Sequence, residues 1–232
     1  LGFGIGNLND SMMELISNCG NGNYFYIDTY SEAQRALGNG LFGTLFTVAK
    51  DVKVLVDFNP NIVRQYRLIG YENRMLSNED FNNDKKDAGD MGSGHTVTAL
   101  YELVTSSSKD VPGVSAVKSE YSQTVNGGDT KNYLTVKVRY KNPKDTASQL
   151  LEKRVTKADM PGSPSGSMTL AENVALLGQL LRHSANIKSA SYEQLMDGLS
   201  SIPSDDGGCI DELKVMARMA NEMAGEQAAE EQ

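Results

Sequence analysis

The hydrophobic pattern of the chain changes period twice. Over residues 1 to about 45 it reads strand, helix, strand, helix. Leu1 to Ile5 is a short apolar run ending at Gly6-Asn7. Ser11 with Glu14 has capping-box spacing, and Met12, Leu15, Ile16 and Cys19 follow at helical intervals. Gly20 to Asn23 stops that helix, Tyr24 to Ile27 is β-prone, and Ser31 with Gln34 opens a second capped helix. Such alternation is the signature of a parallel sheet with covering helices, and here it predicts only a piece of one.

From about Phe46 the period becomes two. Val52, Val54, Val56 and Phe58 alternate with Lys53, Leu55 and Asp57, and Leu134, Val136, Val138 and Tyr140 alternate with Thr135, Lys137, Arg139 and Lys141. Runs at 62–71, 96–104 and 150–155 bring the expected strands to five or more, each with one apolar face turned to a core. Turn chemistry separates them at Asn59-Pro60-Asn61, Gly92 to Gly94, Asn126-Gly127-Gly128 and Asn142-Pro143. Ser106 to Lys131 is long and polar and reads as a mobile loop or an extra hairpin.

Beyond the breaker Pro161 to Gly166 the period returns to that of a helix. Thr169 and Glu172 have capping-box spacing ahead of Leu170, Val174, Leu177 and Leu181; Ser191 and Gln194 open a second helix; Ile210, Leu213, Met216, Met219, Ala220 and Met223 mark a third. The Glu/Gln/Ala tail from Gly225 is expected to fray. The fold class is therefore α+β: an α/β remnant over 1–45, an antiparallel β-sandwich over 46–158 and a three-helix segment over 166–226.

Composition narrows the function classes. The 232 residues carry a net charge of −8, which disfavours nucleic acid or an anionic membrane as a partner. No run of about 18 apolar residues could span a bilayer. Beginning on Leu1 within a strand, the chain reads as an excised fragment. Residues 1–45 would then dock on the sandwich or pair with a second copy, making a homo-oligomer. Cys19 and Cys209 read as two unrelated thiols, buried as free cysteines usually are, with a disulfide left open should the protein lie outside the cytoplasm.

Candidate chemistry is sparse. Gly2, Gly4 and Gly6 lack dinucleotide-loop spacing and its acidic partner. Glu79, Asp80, Asn82, Asp84, Asp87 and Asp90 form the densest acidic cluster, read first as a solvated hairpin with Asx turns. Asp80, Asn82 and Asp84 begin like a calcium loop, but Lys85 and Met91 stand where an EF-hand needs Gly and Glu. They are the one metal site the sequence offers. His95 and His183 stand near no recognisable nucleophile, and His183 after Arg182 suits a helix C-terminus. Tyr66, Tyr71, Tyr101, Tyr133 and Tyr140 read as strand packing, and Met216, Met219 and Met223 as core. No enzyme is expected.

One resemblance adds to these readings. LGFGIGNLNDSMMELISNCGNGNYFYIDTYSEAQRAL resembles the end of a von Willebrand factor A (vWA) domain. AKDVKVLVDFNP and YRLIGYENRMLSNEDFNNDKKDAGDMGSGHTVTALYEL resemble the C-terminal region of bacterial YfbK-like vWA proteins. The likeness covers residues 1 to about 104 closely and the three helices more loosely. It implies a cell-envelope, extracytoplasmic lipoprotein that acts in adhesion or scaffolding and binds a protein partner. It also implies a divalent cation held by a DxSxS motif, which occurs nowhere in this chain; no cofactor is expected on these residues.

Overall fold

The computed structural model describes residues 9–20, 22, 24–39, 41–71, 75–107, 131–187, 190–205 and 208–230. The expected strand at Leu1 to Ile5, the three glycines beside it and most of the 106–131 loop lie outside them. The fold is α+β, with two antiparallel sheets and several helices. The described residues fall into two compact units, one drawn from 1–63, 74–97 and 117–157, the other from 64–73, 98–116 and 158–232.

In the first unit, helix α1 (Asp10–Cys19) is capped by Asn9, whose Oδ1 accepts the Met12 N–H at 3.0 Å. Helix α2 (Tyr30–Gln34) is capped by Thr29, whose hydroxyl accepts the Glu32 N–H at 3.2 Å. Both helices thus start earlier than Ser11 and Ser31 suggest, because Asn9 and Thr29 offer the same acceptor first. A π-helical turn (Arg35–Asn39) and α3 (Leu41–Leu45) follow. Tyr24 to Ile27 forms no strand, contrary to expectation: a strand needs a neighbour for its N–H and C=O groups, and among the described residues no strand pairs with this segment. Helix α1 buries none of its residues, so Met12, Leu15 and Ile16 face solvent rather than docking on the sheet.

The four-stranded sheet runs β3-β1-β5-β6, with β1 (Thr47–Phe58), β3 (Gly89–Gly92), β5 (Asn132–Lys141) and β6 (Gln149–Thr156). All pairs are antiparallel, and Val54↔Val138↔Leu151 and Lys53↔Arg139↔Leu150 lie in register across β1, β5 and β6. Between Lys50 and Lys53 the register slips by one residue against β5, a bulge in which Asp51 takes φ +51°. Strand β3 falls within a segment whose composition reads as loop. Two glycines and an aspartate have little strand preference, and they pair because β1 offers them an open edge.

Around Lys53 the buried positions are not the ones that alternation selects, although Phe58, in the same alternation as Val54, is buried at the end of β1. Lys53 is 2% exposed and Thr135 1%, whereas Val54 is 53% exposed. The 3₁₀ turn Asn78–Asn82 covers the Lys53 side: the Lys53 ammonium donates to the Asn83 and Asp80 carbonyls at 2.6 and 3.3 Å, while the Arg139 guanidinium lies 5.6 Å from the centre of the buried Phe81 ring. Long cationic side chains can bury their carbon stems against an aromatic and place the charge on carbonyls, so a nominally polar face becomes covered. At the end of β1, Asn59 is fully buried and donates Nδ2–H to the Asn132 carbonyl at 2.7 Å, locking the β1–β2 turn to the start of β5.

The second unit holds the sheet β2 (Val63–Ile69) with β4 (Leu100–Thr105) and the helices α4 (Gly166–Leu181), α5 (Tyr192–Ser200) and α6 (Cys209–Glu230). Arg67 on β2 ion-pairs with Glu102 on β4 at 2.5 Å and donates to Gln179 on α4 at 3.1 Å. Tyr66 and Tyr101 meet edge-on, with ring centres 6.2 Å apart. Helix α4 starts at the Ser165 cap rather than at Thr169, and α5 carries the expected Ser191–Gln194 capping box. Leu177, Leu195, Leu199, Ile202, Ala217 and Ala220 form the core of the three helices. Helix α6 continues to Glu230 instead of fraying at Gly225, as its Ala, Glu and Gln residues favour.

Candidate functional site

The acidic segment of the first unit is engaged with itself through Asp80 and with the neighbouring strands through Asn82 and Asp84. Asp80 Oδ2 lies 3.6 Å from Lys86 Nζ, Asn82 Oδ1 accepts Arg139 Nη2–H at 3.0 Å, and Asp84 Oδ1 accepts the Ser148 hydroxyl at 2.5 Å. The three side chains that begin like a calcium loop therefore turn to three different partners. The Ser148 hydroxyl and N–H hold the Asp84 carboxyl below the ordinary aspartate range. Nearby, partial burial pushes the Asp51 carboxyl up, but the Lys141 ammonium at 2.7 Å and the Ala88 N–H at 3.1 Å outweigh it and hold it low. Lys141 also donates to the Asp84 carbonyl at 2.7 Å, and its bond to Asp51 raises its own ammonium. Among the described residues, no three His, Cys, Asp or Glu side chains are gathered closely enough to hold a metal ion.

The remaining candidates are spread through the fold. His95 sits in the exposed turn after β3, its N–H donating to the Gly92 carbonyl. His183 takes φ +47° and donates its N–H to the Leu180 carbonyl at 3.0 Å, closing α4 as a left-handed cap. Tyr71 follows β2 at φ +61° and donates to the Thr98 carbonyl at 2.9 Å. Burial raises the Tyr101 phenol, and Tyr66 beside it adds to this. Cys19 and Cys209 are both thiols and both exposed, not buried: one ends α1, the other begins α6, and helix ends project away from cores.

The main departure from the sequence reading is the methionine stripe of α6. Met216, Met219 and Met223 are 53%, 57% and 61% exposed. Helix α6 carries two apolar stripes, and only one can face α4 and α5. Ile210, Leu213, Ala217 and Ala220 win that contact, because two alanines let the helix axes approach closely. The methionines and Val215 instead line an open groove of about 620 Å³, to which Leu181 of α4 also contributes.

Residues 43–223 match the family model described as the C-terminal region of uncharacterised protein YfbK. The chain is 42% identical over 198 residues to the uncharacterised protein YfbK of Escherichia coli (strain K12), covering 83% of this chain and 33% of that relative. It thus spans about a third of the length of the relative it matches. No solved structure matches it. No helix among the described residues is long and apolar enough to cross a membrane. The bulged, lysine-faced sheet and the three-helix unit are what residues 43–223 of this sequence build, and the chain belongs to the YfbK C-terminal family.

Proposed function

We propose that the chain is a non-enzymatic, protein-binding module of an extracytoplasmic, vWA-type protein, acting in adhesion or scaffolding. The observation that carries the reading is the solvent-facing apolar row of the four-stranded sheet. Val54, Val138 and Leu151 lie side by side across three strands, and the outer two are more than half exposed. Such a face loses free energy in water at about 25 cal/mol per Å² and regains it on docking. Its row of aliphatic side chains offers a partner shape and area but brings no acid, base or nucleophile. The vWA part of the proposal rests on the resemblance of the N-terminal residues and the envelope part on the resemblance to YfbK-like proteins, and the cation that such a protein uses would belong to its vWA portion.

The test is in-cell cross-linking of the protein, with mass spectrometry of peptides joined to β1 and β6. A defined protein should cross-link in the wild type, and Val54→Lys with Leu151→Lys should remove those cross-links without lowering the melting temperature. Unchanged cross-links in the variant, or none in either form, would sink the reading.

A further inference from the structure

We infer that residues 78–88 form a strap that opens as one unit while β1, β5 and β6 stay paired, uncovering the Lys53 side of the sheet. That side is opposite the row of Val54, so the inference goes beyond the protein-binding reading and the two can fail separately.

Three observations carry it. The first is how little apolar surface holds the segment down. Phe81 is the one buried residue between 78 and 88, and Glu79, Asn82, Asn83, Lys85 and Lys86 around it are exposed. Segments with few buried apolar contacts open at lower free energy than paired strands do. The second is where the backbone bonds go. The N–H groups of Asp80, Asn83 and Lys86 donate to the carbonyls of Ser77, Asp80 and Asn83, and Asp80 pairs with Lys86. These bonds close turns within the segment and survive when it lifts, so it moves as a piece. The third is the kind of contact that ties it to the sheet. The Lys53 ammonium donates to the Asp80 and Asn83 carbonyls, Arg139 donates to Asn82, and Lys141 donates to the Asp84 carbonyl. Ser148 donates to the Asp84 carboxylate, and Asp51 accepts the Ala88 N–H. Water replaces such polar partners at a small net cost, whereas β5 is laddered to β1 on one side and β6 on the other. Lys53, 2% exposed with the strap down, regains hydration when it lifts. Lys53 and Arg139 lie in register on β1 and β5, so the sheet presents these two cations freely only when the strap is away.

The experiment is amide hydrogen exchange of the whole chain, followed residue by residue by NMR, in the wild type and in two variants altered outside the strap. Ser148→Ala removes the hydroxyl that holds Asp84, and Lys53→Met keeps the length of the side chain but removes the ammonium. In each variant the strap amides of Asp80, Asn83, Lys86 and Ala88 should exchange faster by one shared factor, since a single opening exposes them all. For Ser148→Ala that factor should be about threefold to tenfold, the size of one net hydrogen bond. The amides of Val136 and Val138, in the middle of the sheet, should keep their wild-type rates. Acceleration confined to the amide beside the lost bond would overturn the proposal, because the segment would then fray rather than open as a unit. Val136 and Val138 accelerating by the strap's factor would also overturn it, because the strap would then open only with the sheet. Unchanged strap amides in both variants would show that these contacts do not hold it.

Discussion

At the scale of single residues, one ion pair of the first unit depends on a break in strand register. The bulge at Asp51 puts an aspartate at positive φ, a conformation that Asp tolerates better than most residues, and aims its carboxylate at Lys141. The folded carboxyl is held below its ordinary value of 3.8. Its contribution to stability is therefore complete at pH above that value and is lost as pH falls through the lower folded value. Asp84 has the same sign, and Lys141 the opposite one at the alkaline end, where stability is lost as pH rises past the raised ammonium value. Asp51→Asn should lower the urea midpoint at pH 7 and make the loss between pH 5 and pH 2 shallower than in the wild type. Parallel pH curves for the two proteins would show that the Asp51–Lys141 pair contributes nothing. Asp51 shows how little of this was legible in advance. Its type is visible in the sequence, but its partner lies 90 residues away, and only strand pairing brings the two together.

At the scale of elements, the helical unit depends on one close approach. A Cβ added at Gly198 of α5 would stand 2.2 Å from Asn173 Oδ1 of α4. Asn173 is buried and donates its Nδ2–H to the Thr169 carbonyl at 2.8 Å, so its amide has no open space to retreat into. Gly198→Ala should cost about 1–3 kcal/mol as overpacking, and Asn173→Ala in the same chain should recover part of that loss. A double-mutant cycle by chemical denaturation measures this, and strict additivity would mean that the two residues do not share the contact. Helix α6 carries the other lesson at this scale. Its periodicity marks every apolar position correctly but cannot rank two stripes on one cylinder. Packing against α4 and α5 chooses the alanine stripe and leaves the methionines outside.

At the scale of the whole chain, the acidic segment 79–90 joins sequence to fold. The Asn82 amide and the Asp84 carboxylate, which resemble part of the start of a calcium loop, fasten the turn over the sheet through Arg139 and Ser148, while Asp80 pairs within the segment with Lys86. Thermal unfolding in chelator and in about 1 mM Ca²⁺ should therefore coincide. A rise of about 2–4 °C, the size of about 1 kcal/mol in a chain this long, would mean that the segment rearranges to bind the ion. Local signals alone settled the α+β class, the long strands β1 and β5, and the capped start of α5. Each depends on period, propensity and neighbours within a few residues. Tertiary structure decided which face of the sheet is covered, which stripe of α6 is buried, and where the acidic side chains point. Alternation tells which residues share a face, but only the element that lands on that face determines whether Lys53 or Val54 meets water.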